Sequence, residues 1–170
     1  MFKKLNRTTI IFTILIITII LDQISKIIAR DLLHGGKEFI YLNQMIVFKH
    51  TENTGAFLSL GANLPEMYRI AIFVILVLVG LCYMLISTIK DQKLSMAETI
   101  CISLIIGGGY GNLIDRVFRG SVTDFVNLGI GHLRTGIFNV ADVAVTTGAI
   151  IMGLIFLKIK FMKKQSGTSH

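Results

Sequence analysis

Residues 70–89 form an unbroken run of 20 uncharged, mostly apolar residues, and no other feature constrains the fold as strongly. Such a run is long enough to cross the hydrocarbon core of a bilayer. Inside lipid a backbone has no water to bond with, so a lone span must be a helix. Three more runs follow the same logic: residues 8–21, extending past Asp22 and Lys26 to about residue 29; residues 96–114, with Glu98 near the start; and residues 140–157, with Asp142 near the start. Only 16% of the chain is charged, where a soluble domain carries about a quarter. The expectation is a mainly α membrane protein of four transmembrane helices, at about 8–29, 68–89, 95–116 and 139–160, in one membrane-embedded domain over 1–170.

A basic start followed by an apolar run also resembles a secretory signal peptide. No small-x-small cleavage site follows, since the next residues are Asp22-Gln23-Ile24-Ser25-Lys26, so a permanent first helix is expected. The net charge of +7 could indicate nucleic acid as a partner in a soluble protein. Here the basic residues cluster beside apolar runs, as topology signals do, and no nucleic acid is expected. Residues 1–7, 90–93 and 158–164 hold nine Lys/Arg in 18 positions, against seven in the 63 positions of 29–69 and 116–137. That bias predicts both termini in the cytoplasm and the two long connections on the far face.

The first connection is too long for a plain hairpin. Phe39-Ile40-Tyr41-Leu42 and Met45-Ile46-Val47-Phe48 are β-prone runs separated by Asn43-Gln44. They predict a small extracytoplasmic sheet resting on the membrane, to which residues 121–126 add a strand. No internal repeat is visible, which counts against the transporter folds built from repeated halves.

A carboxylate in or near hydrocarbon is costly to keep, so each one is a functional candidate. Asp22, Asp115, Asp124 and Asp142 all fall toward the exported side. Each has a plainer reading. Asp22 and Lys26 are four apart and read as a helical ion pair. Asp115, followed by Arg116, reads as a helix end reaching for headgroups. Asp142, three residues after Asn139, reads as part of a helix cap. The context of Asp115 favours more. Gly107 and Gly111 form a G-x-x-x-G pattern that lets helices approach closely, and Asn112 shares a helical face with Asp115. Asn53-Thr54-Gly55-Ala56 reads as a turn. The four histidines are scattered outside the spans, Cys82 and Cys101 sit inside apolar runs, and no metal or cofactor is expected.

Asp115 and Asp142 leave and re-enter the same membrane face at similar depth, so they are the expected pair. Two carboxylates that meet cannot both ionise freely. One then acts as base toward a water while the other, protonated, polarises a carbonyl. A proton relay in a small transporter would use the same residues, and a non-enzymatic assembly protein would need neither.

The motifs together resemble the lipoprotein signal peptidases, or signal peptidase II. The resemblance runs through Asp22-x-x-x-Lys26, Asn53-x-Gly55-Ala56, Gly108-x-x-Gly111-Asn112-x-x-Asp115-Arg116, Val122-x-Asp124-Phe125 and Phe138-Asn139-x-Ala141-Asp142. It implies a peptidase domain of the bacterial cytoplasmic (inner) membrane, active near the outer face. It implies an aspartyl endopeptidase cutting prolipoproteins just before a diacylglyceryl-modified cysteine, with membrane lipids around it, a monomer as the default state, no metal, and inhibition by globomycin. On the same resemblance Asp115 and Asp142 are the catalytic pair. Asp22, Lys26, Asn53, Gly55, Asn112, Arg116, Asp124 and Asn139 support it or position substrate. Residues 38–50 and 57–68 would supply a β-cradle and a mobile segment. One departure stands out: Glu52 occupies a position that is usually basic, and Phe57 arrives one place early.

Overall fold

A computed structural model describes residues 6–54 and 66–166. Gly55, Ala56, Phe57 and the rest of the expected mobile segment up to residue 65 lie outside the described residues. The chain runs α1 (Arg7–Leu32), β1 (Glu38–Tyr41), β2 (Ile46–Asn53), α2 (Glu66–Lys90), α3 (Met96–Arg119), β3 (Val122–Ile130), β4 (Leu133–Phe138) and α4 (Val140–Ser166). Among the described residues, α1, α3 and α4 are long and apolar enough to cross a bilayer, and α2 carries a shorter apolar stretch over Val74–Lys90. This is the expected architecture of a helical membrane protein with a small sheet.

The buried residues of α1 are Ile11, Leu15, Thr18, Asp22, Lys26 and Ala29, spaced three or four apart. They form one stripe. Its first part is apolar and packs with Ile106 of α3. Its second part carries a carboxylate and an amine on the same buried line. The helix therefore delivers charge to the inside of the bundle by periodicity alone. Ser95 and Glu98 start α3 with a reciprocal capping box, and Gly120 ends it in a left-handed conformation at φ 76°.

Glycines on α3 set how closely its neighbours approach. A Cβ on Gly107 would stand 2.9 Å from Thr18 Cβ of α1. On Gly111 it would stand 2.6 Å from Asp22 Oδ2, and on Gly108 it would collide with the carbonyl oxygen of Ala141 on α4. The G-x-x-x-G pattern thus serves α1, while Gly108, one place along, serves α4.

The four strands form one antiparallel sheet in the order β1-β2-β3-β4. Asn43 and Gln44 form the β1–β2 turn with positive φ of 50° and 69°. Val122 and Asp124 pair with Asn53 and Thr51, and a bulge separates this stretch from the Phe48–Val126 pair. Phe125 of β3 packs with Ala29 and Leu33, which seats the sheet on the end of α1. The C-terminal turns of α1 and α3 and the first turn of α4 meet beneath it.

Candidate active site

Two polar clusters lie under the sheet. The first is centred on Lys26, which is fully buried. Its Nζ is 2.8 Å from Asp22 Oδ2 and 3.1 Å from Asp115 Oδ2, and donates to Asn112 Oδ1 at 2.9 Å. Asp115 Oδ2 also accepts the Thr123 backbone N–H at 3.2 Å. The other Asp22 oxygen accepts the backbone N–H of Ala141 at 2.9 Å, so α1 caps the opening of α4 across the bundle. The Gln23 amide donates to Asp22 Oδ2 at 3.2 Å, to the Gly111 carbonyl at 3.1 Å and to Asp115 Oδ1 at 3.4 Å. Asp22 and Asp115 are thereby enclosed, with one ammonium between them and side-chain exposures of 0% and 1%.

The second cluster is centred on Asn139, just before α4. Its amide N–H groups donate to Asp124 Oδ1 at 2.6 Å and Asn112 Oδ1 at 3.1 Å. Its Oδ1 accepts the Asp142 backbone N–H at 3.0 Å, and its own backbone N–H donates to Asp142 Oδ2 at 3.1 Å. The expected cap is therefore present. The second Asp142 oxygen accepts from Asn112 Nδ2 at 2.9 Å, while Asp124 Oδ2 accepts from Asn53 Nδ2 at 3.0 Å. Asp142 is half-buried and Asp124 buried. Burial pushes the Asp124 carboxyl above its ordinary range; the Asn53 bond opposes this, and the negative charge of Asp142 adds to it. Arg116 donates to the Asn112 carbonyl at 3.4 Å and carries its charge close to Asp124, Asp142 and Asp115.

Asp22, Lys26, Asn53, Asn112, Asp115, Arg116, Asp124, Asn139 and Asp142 thus converge on one end of the bundle. Four residues that the sequence reading did not assign join them. Gln23 is one; its signal was a polar residue beside Asp22 within a span. The others are Ser121, Thr123 and Glu52 on the strands. Glu52 accepts from Ser121 Oγ at 2.5 Å and Thr123 Oγ1 at 3.1 Å, and pairs with His50 at 2.8 Å. Burial pushes the Glu52 carboxyl up, but the bonds from Ser121, His50 and Thr123 outweigh it and hold the carboxyl below its ordinary range. Thr123 also takes a bond from Arg30 at 2.9 Å, so β3 is tied to α1. Among the described residues, no three His, Cys, Asp or Glu side chains are grouped to hold a metal ion.

The signal peptidase (SPase) II family model matches residues 14–158. The lipoprotein signal peptidase of Staphylococcus haemolyticus is 34% identical over 157 residues, covering 92% of this chain and 96% of that one. The lipoprotein signal peptidase of Halalkalibacterium halodurans is 33% identical over 150 residues, covering 88% and 91%. A bacterial membrane enzyme solved by the in meso method at 1.9 Å resolution superposes with a TM-score of 0.71 at 32% identity, covering 87% of this chain and 92% of that one. A sheet seated on an apolar bundle, buried carboxylates at their junction and likeness along nearly the whole chain agree: this membrane protein is a peptidase of the signal peptidase II family.

Proposed function

We propose that the chain is an intramembrane aspartyl endopeptidase that removes the signal peptide from prolipoproteins bearing a diacylglyceryl-cysteine, cutting just before that cysteine. The site faces the exported side, near the outer surface of the bacterial cytoplasmic membrane, with both termini in the cytoplasm. The uneven Lys/Arg distribution supports that orientation. A helical, lipidated substrate reaches such acids from within the bilayer, without leaving it. Globomycin, a cyclic peptide, blocks the same site.

The carrying observation is Asn139, whose side-chain amide donates to Asp124 Oδ1 and whose backbone N–H donates to Asp142 Oδ2, so that one residue holds both carboxylates as neighbours. The sequence alone favoured Asp115 as the partner of Asp142. The hydrogen-bond geometry supports Asp124 better. Asp115 shares the Lys26 ammonium with Asp22, and its nearer oxygen also takes the Thr123 N–H. Among the described residues the side chains of Asn53 and Asn139 donate to Asp124, and its carboxyl is raised in part by Asp142. In this reading Asp124 holds a proton and Asp142 is the base.

Asp142 takes a proton from water as the hydroxyl oxygen attacks the scissile carbonyl carbon. Asp124 gives its proton to the carbonyl oxygen, forming a neutral gem-diol. Collapse of that diol breaks the C–N bond. The leaving nitrogen takes the proton from Asp142, and Asp124 recovers one from the diol hydroxyl. Asn112 and Asn139 orient the acids. Lys26, Asp22 and Asp115 hold the helices that carry them, while Arg116 and Asn53 position the acids or substrate.

The test is cleavage of lipidated substrate by purified Asp124→Asn, Asp142→Asn and Asp115→Asn. The first two should lose activity by about 10³-fold or more while keeping the parent unfolding temperature. Asp115→Asn should lose stability along with activity. Full activity in a folded Asp124→Asn, with none in a folded Asp115→Asn, would restore Asp115 as the reacting partner.

A further inference from the structure

We propose that the cavity between α1 and the sheet is a lipid site that holds one acyl chain of a bilayer phospholipid, on the side of β3 away from the acids. The cavity has a volume of about 470 Å³, and Ile28, Leu32, Phe39, Tyr41, Phe48 and Phe125 form much of its wall. That wall is apolar apart from the phenol of Tyr41. A space lined this way gives water too few partners to stay, and it lies within the size range of ligand cavities.

Its mouth points to the source of the occupant. Ile20, Ile24, Ile28 and Leu32 lie four residues apart on α1, with exposures of 48%, 50%, 51% and 53%. They make one ridge, inclined to the axis, on a helix that crosses the membrane. The last two members also form the cavity wall. The cavity therefore continues the lipid-facing surface of α1 under the overhanging sheet, and hydrocarbon in contact with the ridge runs directly into it.

Strand alternation separates this space from the reaction site. Phe125 turns into the cavity, while its neighbour Asp124 turns to Asn53 and Asn139. An acyl chain of the substrate, held at the acids, would have to cross β3 to enter. A bilayer lipid needs no such crossing. Once seated, the chain supports β3 directly behind Asp124.

The chain contains no tryptophan, so Phe39→Trp places a single reporter in the wall. Leu154→Trp, on the exposed face of α4, reports ordinary lipid contact. Both are reconstituted with phosphatidylglycerol carrying bromine on its acyl chains, then extracted stepwise into detergent. We expect quenching at Phe39→Trp to persist near one lipid per protein, after it has vanished at Leu154→Trp, and to be unmoved by saturating lipidated substrate. Tyr41→Trp repeats the measurement from the same wall if Phe39→Trp unfolds. The proposal is overturned by no quenching at either wall reporter, which means protein fills the space. It is equally overturned by loss in step with Leu154→Trp, or by relief on adding substrate, which means the occupant is the substrate's own chain. It rests on the membrane fold alone, so these outcomes leave the peptidase assignment as it stands.

Discussion

Two pairs of carboxylates lie a few residues apart under the same sheet, and they are held in opposite ways. Asp22 and Asp115 share an ammonium, that of Lys26. Asp124 and Asp142 instead share neutral N–H donors from Asn139, its side-chain amide to Asp124 and its backbone N–H to Asp142. An ammonium between two buried acids ties both to one point. The N–H groups of Asn139 orient the second pair, with the positive charges of Arg116 and Lys26 nearby. The first arrangement fastens helices; the second is suited to moving protons. On the proposed mechanism, burial does not distinguish a fastening acid from a reacting one, whereas its hydrogen-bond partners do.

Removing the shared cation is the harshest way to break this comparison. Lys26→Met should destabilise the protein by about 3–5 kcal/mol, because two buried acids lose their counter-charge. Thermal unfolding in detergent reads this directly. Adding Asp22→Asn and Asp115→Asn should recover most of the loss if the cluster is only a fastening. No recovery would mean that Lys26 does more than neutralise.

Gly111→Ala probes the same cluster by volume. Its methyl would stand 2.6 Å from Asp22 Oδ2, pushing that carboxylate off the Ala141 N–H. A loss of about 1–3 kcal/mol is expected, as for other overpacked sites. An unchanged unfolding temperature would show that the contact of α1 with α3 is looser than the glycine implies.

Asn53→Ala sharpens the other side. The Asn53 bond lowers the Asp124 carboxyl pKa, so its removal should raise it further. Asp124 would then keep its proton to higher pH, and the alkaline limb of kcat should move upward. A limb that stays in place would separate Asp124 from the protonated partner in the reaction.

The mildest change is Glu52→Gln. Glu52 is an exposed carboxylate held below its ordinary range, so its contribution is present above the unfolded value of 4.5 and is lost as pH falls through the folded one. The variant should unfold slightly earlier than the parent near neutral pH, and the difference should close in acid. A gap that widens in acid would contradict the bonds from Ser121 and Thr123.

Much of this is legible in the sequence. The residue 70–89 run, with its companions, dictated membrane helices. The β-prone runs on either side of Asn43-Gln44 announced the hairpin. Asp22 and Lys26 formed the ion pair that their spacing required. Less legible was where each acid would point. Asp115 looked like the natural partner of Asp142 because both sit at helix ends on one face. The reach of Lys26 to Asp115 depends on how far α1 and α3 slide past each other, which Gly107 and Gly111 set through contacts 86–92 residues apart in the chain.

Sequence by itself determined the elements whose causes are local: the presence of each helix from its apolar run, a cap from Asn139 and Asp142, and a charged line on α1 from a repeat of three and four. Only the tertiary structure decided which acid received a cation and which an amide. That choice depends on close approach of three helices and a strand, and a carboxylate's proton affinity follows the charges within a few ångströms, wherever in the chain they originate.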